Sequence, residues 1–316
     1  MKPRIVFMGT PDFAVTSLDA IVSAGYDVAA VVTVPDKQSG RGLKVNQSPV
    51  KEYAVEHRLP LLQPEKLRDP SFLEALATLH ADLFVVVAFR MLPQSVWAMP
   101  PLGTFNLHAS LLPDYRGAAP INWAIINGET ETGVTTFLLN ENIDEGNILL
   151  QRRCPIGEND NAGTIHDQLA EMGAHMVVET LQRLADGNIK PTPQPTPATV
   201  KGAPKIFKQD CAINWGKNGS DIHNFVRGLS PYPAATTTMT DSKGNIVSMK
   251  IFDTQFEASD HPAPLGAIVS DLKKTLKIRV KHGFIKILSL QLSGKKKNST
   301  DEFLRGYDIS NWKLNI

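Results

Sequence analysis

The chain has 316 residues with 42% apolar residues, a length that favours two domains over one core. No apolar run approaches the roughly 20 residues of a membrane span, and Met1 leads into a strand without a signal-like region, which predicts a soluble cytoplasmic protein with no membrane partner. The net charge is +1, and Cys154 and Cys211 have no neighbour at metal-ligand spacing, so neither a disulfide framework nor a metal site is expected.

The first elements along the chain form a strand–helix–strand unit. Arg4 to Met8 is an apolar strand, Phe13 to Ala24 has a helical pattern, and Val28 to Val34 is a second strand. This order predicts a parallel, Rossmann-like α/β sheet with helices on both faces. The fingerprint G-x-G-x-x-G is missing after the first strand, and so is a Walker A loop. The pattern therefore disfavours a dinucleotide-dependent oxidoreductase.

A loop with two glycines and three cations follows, from Asp36 to Val45. Its composition is typical of a solvated surface loop. The alternative is a basic finger in which Arg41 and Lys44 hold a phosphate backbone. Composition alone favours the first of these two interpretations.

Helical patterns over Pro49 to Arg58 and Pro70 to Leu79 precede the apolar run Leu83 to Ala88, which is typical of a central strand buried on both faces. Thr104 to His108 is predicted to be a further strand. Because side chains two apart in a strand share a face, Asn106 and His108 should lie side by side.

The segment from Ser110 to Pro113 is too broken for regular structure. A bound ligand could supply partners for its backbone groups. Taken alone, His108 could equally be a satisfied, half-buried histidine and Asn106 a strand cap. Asp144, in an acidic turn after the strand-like Val134 to Leu139, shifts the balance. An amide, an imidazole and a carboxylate in one crevice can provide an oxyanion donor, a proton-transfer group and its orienting partner.

These motifs resemble those of the folate-dependent formyltransferases, and within that family those of the members that act on methionyl-tRNA. The matching segments cover nearly the whole chain and are Phe7-Met-Gly9-Thr10-Pro11-Asp-Phe13-Ala14, Pro35-Asp-Lys-Gln-Ser-Gly40-Arg41-Gly42, Asn106-Leu-His108, Ser110-Leu-Leu-Pro113, Arg116-Gly-Ala-Ala-Pro120 and Asp144-x-Gly146. The resemblance implies 10-formyltetrahydrofolate as donor and the α-amino group of initiator methionyl-tRNA as acceptor.

The resemblance also implies roles for individual residues. Asn106 would donate to the formyl oxygen as it becomes an oxyanion, His108 would stabilise that charge and transfer protons, and Asp144 would orient His108 and favour its protonated form. The folate would contact four consecutive residues, Ser110, Leu111, Leu112 and Pro113. Arg41 would help to read the acceptor end of the tRNA.

One segment departs from the family pattern. After the central strand the family usually has Ala-Tyr-Gly, whereas this chain has Ala88-Phe89-Arg90. The change removes a flexible glycine and adds a charge beside the expected pteridine pocket.

The proposed domain boundary follows a helix predicted from Thr164 to Ala185, with Thr164 and Asp167 as a capping box. Five prolines between Pro191 and Pro204 predict a semi-rigid linker. We therefore expect a folate-binding catalytic domain over residues 1–190, a linker over 191–205, and a tRNA-binding domain over 206–316.

The last third of the chain has short strands at Ile246 to Phe252, Leu276 to Val280 and Phe284 to Leu292, with a change of phase between Ile287 and Leu288 that indicates a β-bulge. A small OB-like β-barrel is the predicted fold, and such barrels commonly bind nucleic acid.

Charge is distributed unevenly between the two parts. Residues 1–200 carry 15 Lys/Arg and 22 Asp/Glu, whereas residues 201–316 carry 18 and 10. A basic second part suggests a polyanionic partner. The predicted contacts there are Lys205, Lys208, Lys295, Lys296 and Lys297.

Three alternatives stay open at this point: a glycinamide ribonucleotide formyltransferase, a sugar-nucleotide formyltransferase, and a non-catalytic RNA-binding protein. The purine enzyme would not need a basic second domain. The sugar-nucleotide enzymes would not be expected to carry both the Arg41 loop and the loop of three lysines. Intact Asn106, His108 and Asp144 argue against a non-catalytic protein. The chain is expected to act as a monomer.

Overall fold

The computed structural model describes residues 2–39, 44–196 and 199–315. The chain divides into two compact units, each with its own core. The first comprises Met1–Gly117, Thr132–Pro155 and His166–Gly202, and the second comprises Ala118–Glu131, Ile156–Ile165 and Ala203–Ile316. Among the described residues, no helix combines the length and apolarity that crossing a bilayer demands.

The strands up to residue 203 are β1 (Arg4–Gly9), β2 (Asp27–Val32), β3 (Lys37–Ser39), β4 (Lys44–Asn46), β5 (Leu61–Leu62), β6 (Leu83–Val87), β7 (Thr104–His108), β8 (Arg116–Gly117), β9 (Glu131–Leu138), β10 (Ile148–Pro155) and β11 (Gly202–Ala203). The helices over the same part are α1 (Asp12–Ser23), α2 (Pro49–Glu56), α3 (Pro70–Thr78), α4 (Gln94–Trp97), α5 (Pro120–Ile126) and α6 (Ala162–Ala185).

The central sheet of the first unit has the order β10-β9-β7-β6-β1-β2-β5. Strands β5, β2, β1, β6 and β7 run parallel, and β9 is antiparallel to β7. A mixed sheet of this kind is common where a strand is added beside a parallel core. The predicted α/β sheet is thus confirmed, with one direction reversed next to β7.

Both faces of this sheet are covered by helices, as the sequence predicts. On one face Val6, Met8 and Val86 share a core cluster with α3 and α4. On the other face Gly173 of α6 lies so close to Leu107 that a Cβ would be 2.6 Å from its Cδ2.

The start of α6 differs from the prediction. The helix begins at Ala162, and its reciprocal cap joins Asn161 Oδ1 to the Thr164 N–H at 3.0 Å and Thr164 Oγ1 to the Asn161 N–H at 2.9 Å. Thr164 is therefore the closing residue of the capping box and not its first residue. Asparagine caps a helix as well as threonine does, so the sequence allows either residue to begin the box. The observed first residue is Asn161, three positions before the predicted Thr164.

The second unit contains the strands β12 (Ala235–Thr240), β13 (Ile246–Ala258), β14 (Ile268–Ser270), β15 (Leu276–Val280), β16 (Gly283–Leu292), β17 (Lys297–Ser299) and β18 (Lys313–Leu314). Its helices after residue 203 are α7 (Gly219–Leu229), α8 (Thr300–Gly306) and a 3-10 turn over Lys208–Cys211.

These strands form an antiparallel, barrel-like sheet in the order β14-β15-β16-β13-β12-β18, with β17 beside β16. The alternation in β15 buries Leu276, Ile278 and Val280. The predicted bulge is confirmed, because Ile287 pairs with Thr254 and Ser289 with Asp253, which leaves Leu288 without a partner in the ladder. The predicted barrel-like domain is confirmed as a fold.

Candidate active site

Strand β7 presents Asn106 and His108 on one face of the first unit's sheet. Phe105 and Leu107 point to the other face and are buried, as the two-residue period of a strand requires. Asn106 is half-buried and pairs in register with Val86 of β6. Within the described residues no protein group hydrogen-bonds its side-chain amide, so this donor is available to a ligand.

His108 is held in one tautomer by the backbone. Its Nε2 lies 2.8 Å from the carbonyl oxygen of Tyr115, and its side chain is only 7% exposed. A carbonyl oxygen only accepts, so Nε2 carries the proton and donates it. The ring nitrogen left for proton transfer is Nδ1, which lies 3.8 Å from Asp144 Oδ2.

The carboxylate of Asp144 is itself fixed. Its Oδ2 accepts the Gly117 N–H at 2.9 Å, and its backbone has a φ of 54°, a left-handed conformation that aspartate tolerates better than most residues. Two residues later, a Cβ on Gly146 would lie 1.6 Å from the Leu138 carbonyl oxygen. Glycine is therefore required for the turn that brings Asp144 back to His108.

Gln194 and Arg116 support this turn. The amide nitrogen of Gln194 donates to the carbonyl oxygens of Asp144 at 2.8 Å and Gly146 at 3.0 Å. Arg116 donates from Nη2 to Gln194 Oε1 at 2.6 Å and from Nη1 to Glu145 at 2.7 Å. Sequence reasoning missed Gln194, because it is an isolated amide inside the proline-rich segment and no pattern distinguishes it from a linker residue.

The predicted folate-binding segment finds partners inside the protein. Ser110 is buried, its hydroxyl donates to the Asp114 carbonyl oxygen at 2.7 Å, and its own carbonyl accepts from Thr135 Oγ1 at 2.6 Å. Leu112 is also buried, and its carbonyl accepts from Gln151 Nε2 at 2.7 Å. The carbonyl groups of Ser110 and Leu112 therefore have partners without a ligand. The sequence had suggested that a bound ligand could supply these partners.

The other two residues of the segment, Leu111 and Pro113, are half-buried. Leu111 packs over Gly133, where a Cβ would lie 2.5 Å from Leu111 Cδ2. Contact of Ser110–Pro113 with the folate stays a prediction. Thr135 and Gln151, which hold this segment, were not identified from the sequence.

A cavity of about 260 Å³ lies after β6 and is lined by Leu67, Arg68, Arg90, Met91, Leu92 and Pro93. This volume is just below the range of about 300–1,000 Å³ typical of pockets for whole drug-sized ligands, so it suits one part of such a ligand. Its walls are mainly apolar, which fits an aromatic ring, and its two arginines fit an anion. Arg90 Nε is buried without a hydrogen-bond partner in the described structure.

The predicted tRNA contacts lie in several places. Arg41 lies outside the described residues, and of Lys44 the structure describes only the backbone at the start of β4. Lys205, Lys208, Lys295 and Lys296 are exposed. Lys297 is also exposed but lies 3.3 Å from Asp253 Oδ2 and 4.6 Å from the ring centroid of Phe252, so its charge is partly compensated.

The described residues contain no cluster of three or more histidine, cysteine or acidic side chains that could hold a metal ion. Cys154 and Cys211 are buried and form no disulfide.

Comparisons with known proteins give a consistent result. The formyl transferase family matches residues 3–181, and the formyl transferase C-terminal domain matches residues 205–308. The methionyl-tRNA formyltransferase of Bacteroides thetaiotaomicron is 53% identical over 316 residues, covering 99% of this chain and 98% of that protein. The methionyl-tRNA formyltransferase of Azobacteroides pseudotrichonymphae is 55% identical over 311 residues, with 96% of each chain covered.

Among solved structures, an N-formyltransferase from Helicobacter canadensis in complex with folinic acid and dTDP-3-aminofucose superposes with a TM-score of 0.62, covering 94% of this chain and all 100% of that one. Its 20% identity supports the fold alone. The family matches and the close relatives together show that this chain belongs to the formyl transferase family, among the methionyl-tRNA formyltransferases.

Proposed function

We propose that Asn106, His108 and Asp144 carry out the reaction of this enzyme, in which the formyl group of 10-formyltetrahydrofolate is transferred to the α-amino group of initiator methionyl-tRNA. The observation that carries the assignment is the arrangement of His108. Its Nε2 is committed to the Tyr115 carbonyl oxygen at 2.8 Å, and its Nδ1 faces the Asp144 carboxylate at 3.8 Å.

Each residue has a role that follows from its contacts. The folate, when bound, supplies the formyl group that becomes the amide of the product. The unpartnered amide of Asn106 donates to the formyl oxygen as negative charge develops there. The amine nitrogen forms its bond to the formyl carbon as the bond between that carbon and the folate nitrogen breaks. His108, protonated at Nδ1, gives its proton to the departing folate nitrogen, and it is reprotonated by the proton that the amine releases. Asp144, held by the Gly117 N–H, stabilises the imidazolium and accepts the proton of the amine through a water.

The remaining assignments follow the same division. Residues 1–190 bind the folate and carry the catalytic side chains, and residues 206–316 bind the tRNA. Residues 191–205 are the linker, in which Gln194 also supports the Asp144 turn. The basic charge of the second part supports this assignment, because Lys/Arg exceed Asp/Glu by 18 to 10 over residues 201–316. Arg41, Lys44 and the five lysines named above contact the phosphate backbone. The enzyme acts as a monomer in the cytoplasm, without a membrane partner.

The acceptor is tested by direct competition. The protein is incubated with 10-formyltetrahydrofolate and charged initiator tRNA, and the product is analysed for formylmethionine. Glycinamide ribonucleotide and an amino-sugar nucleotide are offered in parallel. Formylmethionine should be the product formed, and faster formylation of either small acceptor would overturn the proposal.

The tRNA contacts are tested by varying salt. Binding of tRNA should weaken steeply as salt rises, because each phosphate contact releases counterions, and a small acceptor should show almost no slope. The variant Lys295→Gln/Lys296→Gln should reduce the slope by about two, since these side chains are exposed. The control is a pair of exposed lysines in the first unit. The variant Lys66→Gln/Lys190→Gln should leave the salt slope unchanged.

A further inference from the structure

Arg90 joins two segments of the first unit that are distant in sequence. Its Nη1 donates to the Glu65 carbonyl oxygen at 3.0 Å, and its Nη2 donates to the Pro64 carbonyl oxygen at 2.8 Å. Its guanidinium carbon lies 5.3 Å from the ring centroid of Phe89. The guanidinium thus links the backbone of Pro64 and Glu65 to Arg90, which is itself part of the cavity wall.

This arrangement is costly. Within the described residues Arg90 has no carboxylate partner, and its Nε is buried without any acceptor. Burial lowers the pKa of Arg90 below its ordinary value. Arg90 as a whole is half-buried, but a guanidinium with a buried and unsatisfied Nε opposes folding more than a fully exposed arginine would. A side chain that is kept at such a cost is a candidate for a functional role.

The acceptor side of the contact is anchored in turn. Gln63 Nε2 donates to the Val34 carbonyl oxygen at 2.9 Å and to Asp36 Oδ1 at 2.9 Å. Pro64 and Glu65 therefore follow a residue that is tied to the end of the second strand. Through its hydrogen bonds to Pro64 and Glu65, Arg90 connects the segment 90–93, which lines the cavity, to this anchored backbone.

The cavity lies on the face of the sheet that carries the catalytic side chains. Leu92 and Leu67, two of its lining residues, belong to the same cluster as Val86, the cross-strand partner of Asn106. The lining segment 90–93 also follows the end of β6 at Val87, which pairs with Leu107, after only two intervening residues. The wall of the cavity is thus connected through β6 to the strand that bears Asn106 and His108.

We propose that Arg90 is a positioning residue for the folate donor: its two hydrogen bonds to the Pro64 and Glu65 carbonyl oxygens hold the segment 90–93 in the shape that binds the folate. The inference rests on the proposed function, because it takes the ligand of the cavity to be the donor of that reaction. Arg90 acts through the wall of the cavity and does not touch the reacting atoms.

Three variants distinguish this role from simple attraction between charges. Arg90→Met removes both hydrogen bonds and the charge, and Arg90→Lys keeps the charge but reaches one carbonyl oxygen. Arg68→Met removes a charge from the same cavity wall without breaking any hydrogen bond of the described structure. Binding of folinic acid, an unreactive formylated folate, is measured by calorimetry, and KM and kcat are measured with 10-formyltetrahydrofolate.

Arg90→Met should weaken folinic acid binding by about tenfold and raise the KM for the folate equally, which corresponds to one net hydrogen bond. The kcat and the KM for methionyl-tRNA should stay within about twofold of the wild type, because the catalytic side chains are untouched. Arg90→Lys should lie between the wild type and Arg90→Met, and Arg68→Met should weaken folinic acid binding clearly less than Arg90→Met does.

Unchanged folinic acid binding by Arg90→Met would overturn the inference. A wild-type protein that does not bind folinic acid would overturn it as well. If Arg90→Lys binds folinic acid like the wild type while Arg68→Met binds it as weakly as Arg90→Met, the role of Arg90 is to attract the charge of the folate. The positioning role would then be wrong. A fall in kcat and in both affinities alike, with a lower free energy of unfolding, would indicate a purely structural role. Failure of the proposed function is read separately, from wild-type protein that binds folinic acid but forms no formylmethionine.

Discussion

Replacement of Asn106 by alanine tests the catalytic assignment most directly. Loss of one preorganised oxyanion donor lowers kcat by about 10²- to 10³-fold, equivalent to about 2.7–4 kcal/mol of transition-state stabilisation. The structure separates this effect from stability. The Asn106 amide is half-buried and has no protein partner within the described residues, so its removal leaves no buried group unpaired. The free energy of unfolding should therefore change by less than about 1 kcal/mol.

The assay is single-turnover formylation of methionyl-tRNA at saturating folate, together with urea unfolding of the same preparation. Asn188→Ala is the matched control, since it truncates an exposed asparagine after α6 in the same unit. It should keep wild-type kcat. An Asn106→Ala enzyme with more than about a tenth of the wild-type kcat would refute the assignment of an oxyanion donor at this position.

Three further changes probe the surroundings of the site and the second unit. Gly146→Ala should abolish most activity, because the added Cβ meets the Leu138 carbonyl oxygen at 1.6 Å and must displace the turn that holds Asp144, as measured by kcat and by unfolding. Arg227→Met should lower the free energy of unfolding by about 1–3 kcal/mol, since the buried guanidinium donates to the carbonyl oxygens of Gly157 at 3.2 Å and Asp160 at 3.0 Å. Burial, with Arg227 nearby, lowers the pKa of His223, so the unfolded state takes up this proton at a higher pH than the folded state. The free energy of unfolding should then fall as pH drops below about 6.5, and His223→Gln should remove that part of the pH dependence.

Matched variants accompany these changes. Gly202→Ala places a Cβ where nothing lies within 4 Å and should be neutral. Arg305→Met breaks an exposed pair with Asp301 at 3.1 Å and should cost no more than about 0.5 kcal/mol. Equal losses for Arg227→Met and Arg305→Met would contradict the importance of the buried hydrogen bonds, and an unchanged pH profile in His223→Gln would contradict the assignment of the acid-sensitive group.

Elements with a clear local pattern could be predicted well. The apolar run from Leu83 predicts a buried central strand, and the structure has it as β6 over Leu83–Val87. Leu276–Val280 matches the predicted strand residue for residue, and the phase change at Leu288 corresponds to the observed bulge. Such patterns are readable because the backbone period alone decides which side chains face the core.

Contacts between distant segments could not be predicted in the same way. Gln194, inside a segment with the composition of a linker, supports the Asp144 turn 50 residues away in sequence. Arg90, expected only to place a charge beside a pocket, is bound to carbonyl groups 25 and 26 residues away. No periodicity encodes such partners, since they depend on where the chain returns after several elements.

The amino-acid sequence alone determined the α/β class of the first part, the barrel-like second part, and the spacing that puts Asn106 and His108 on one face of a strand. These follow from backbone periodicity and from the residue types themselves. The tertiary structure decided which nitrogen of His108 carries the proton, how close Asp144 comes to it, and which carbonyl oxygens Arg90 holds. The physical reason is that hydrogen bonds act over about 3 Å, so only the packed chain determines which donors and acceptors meet.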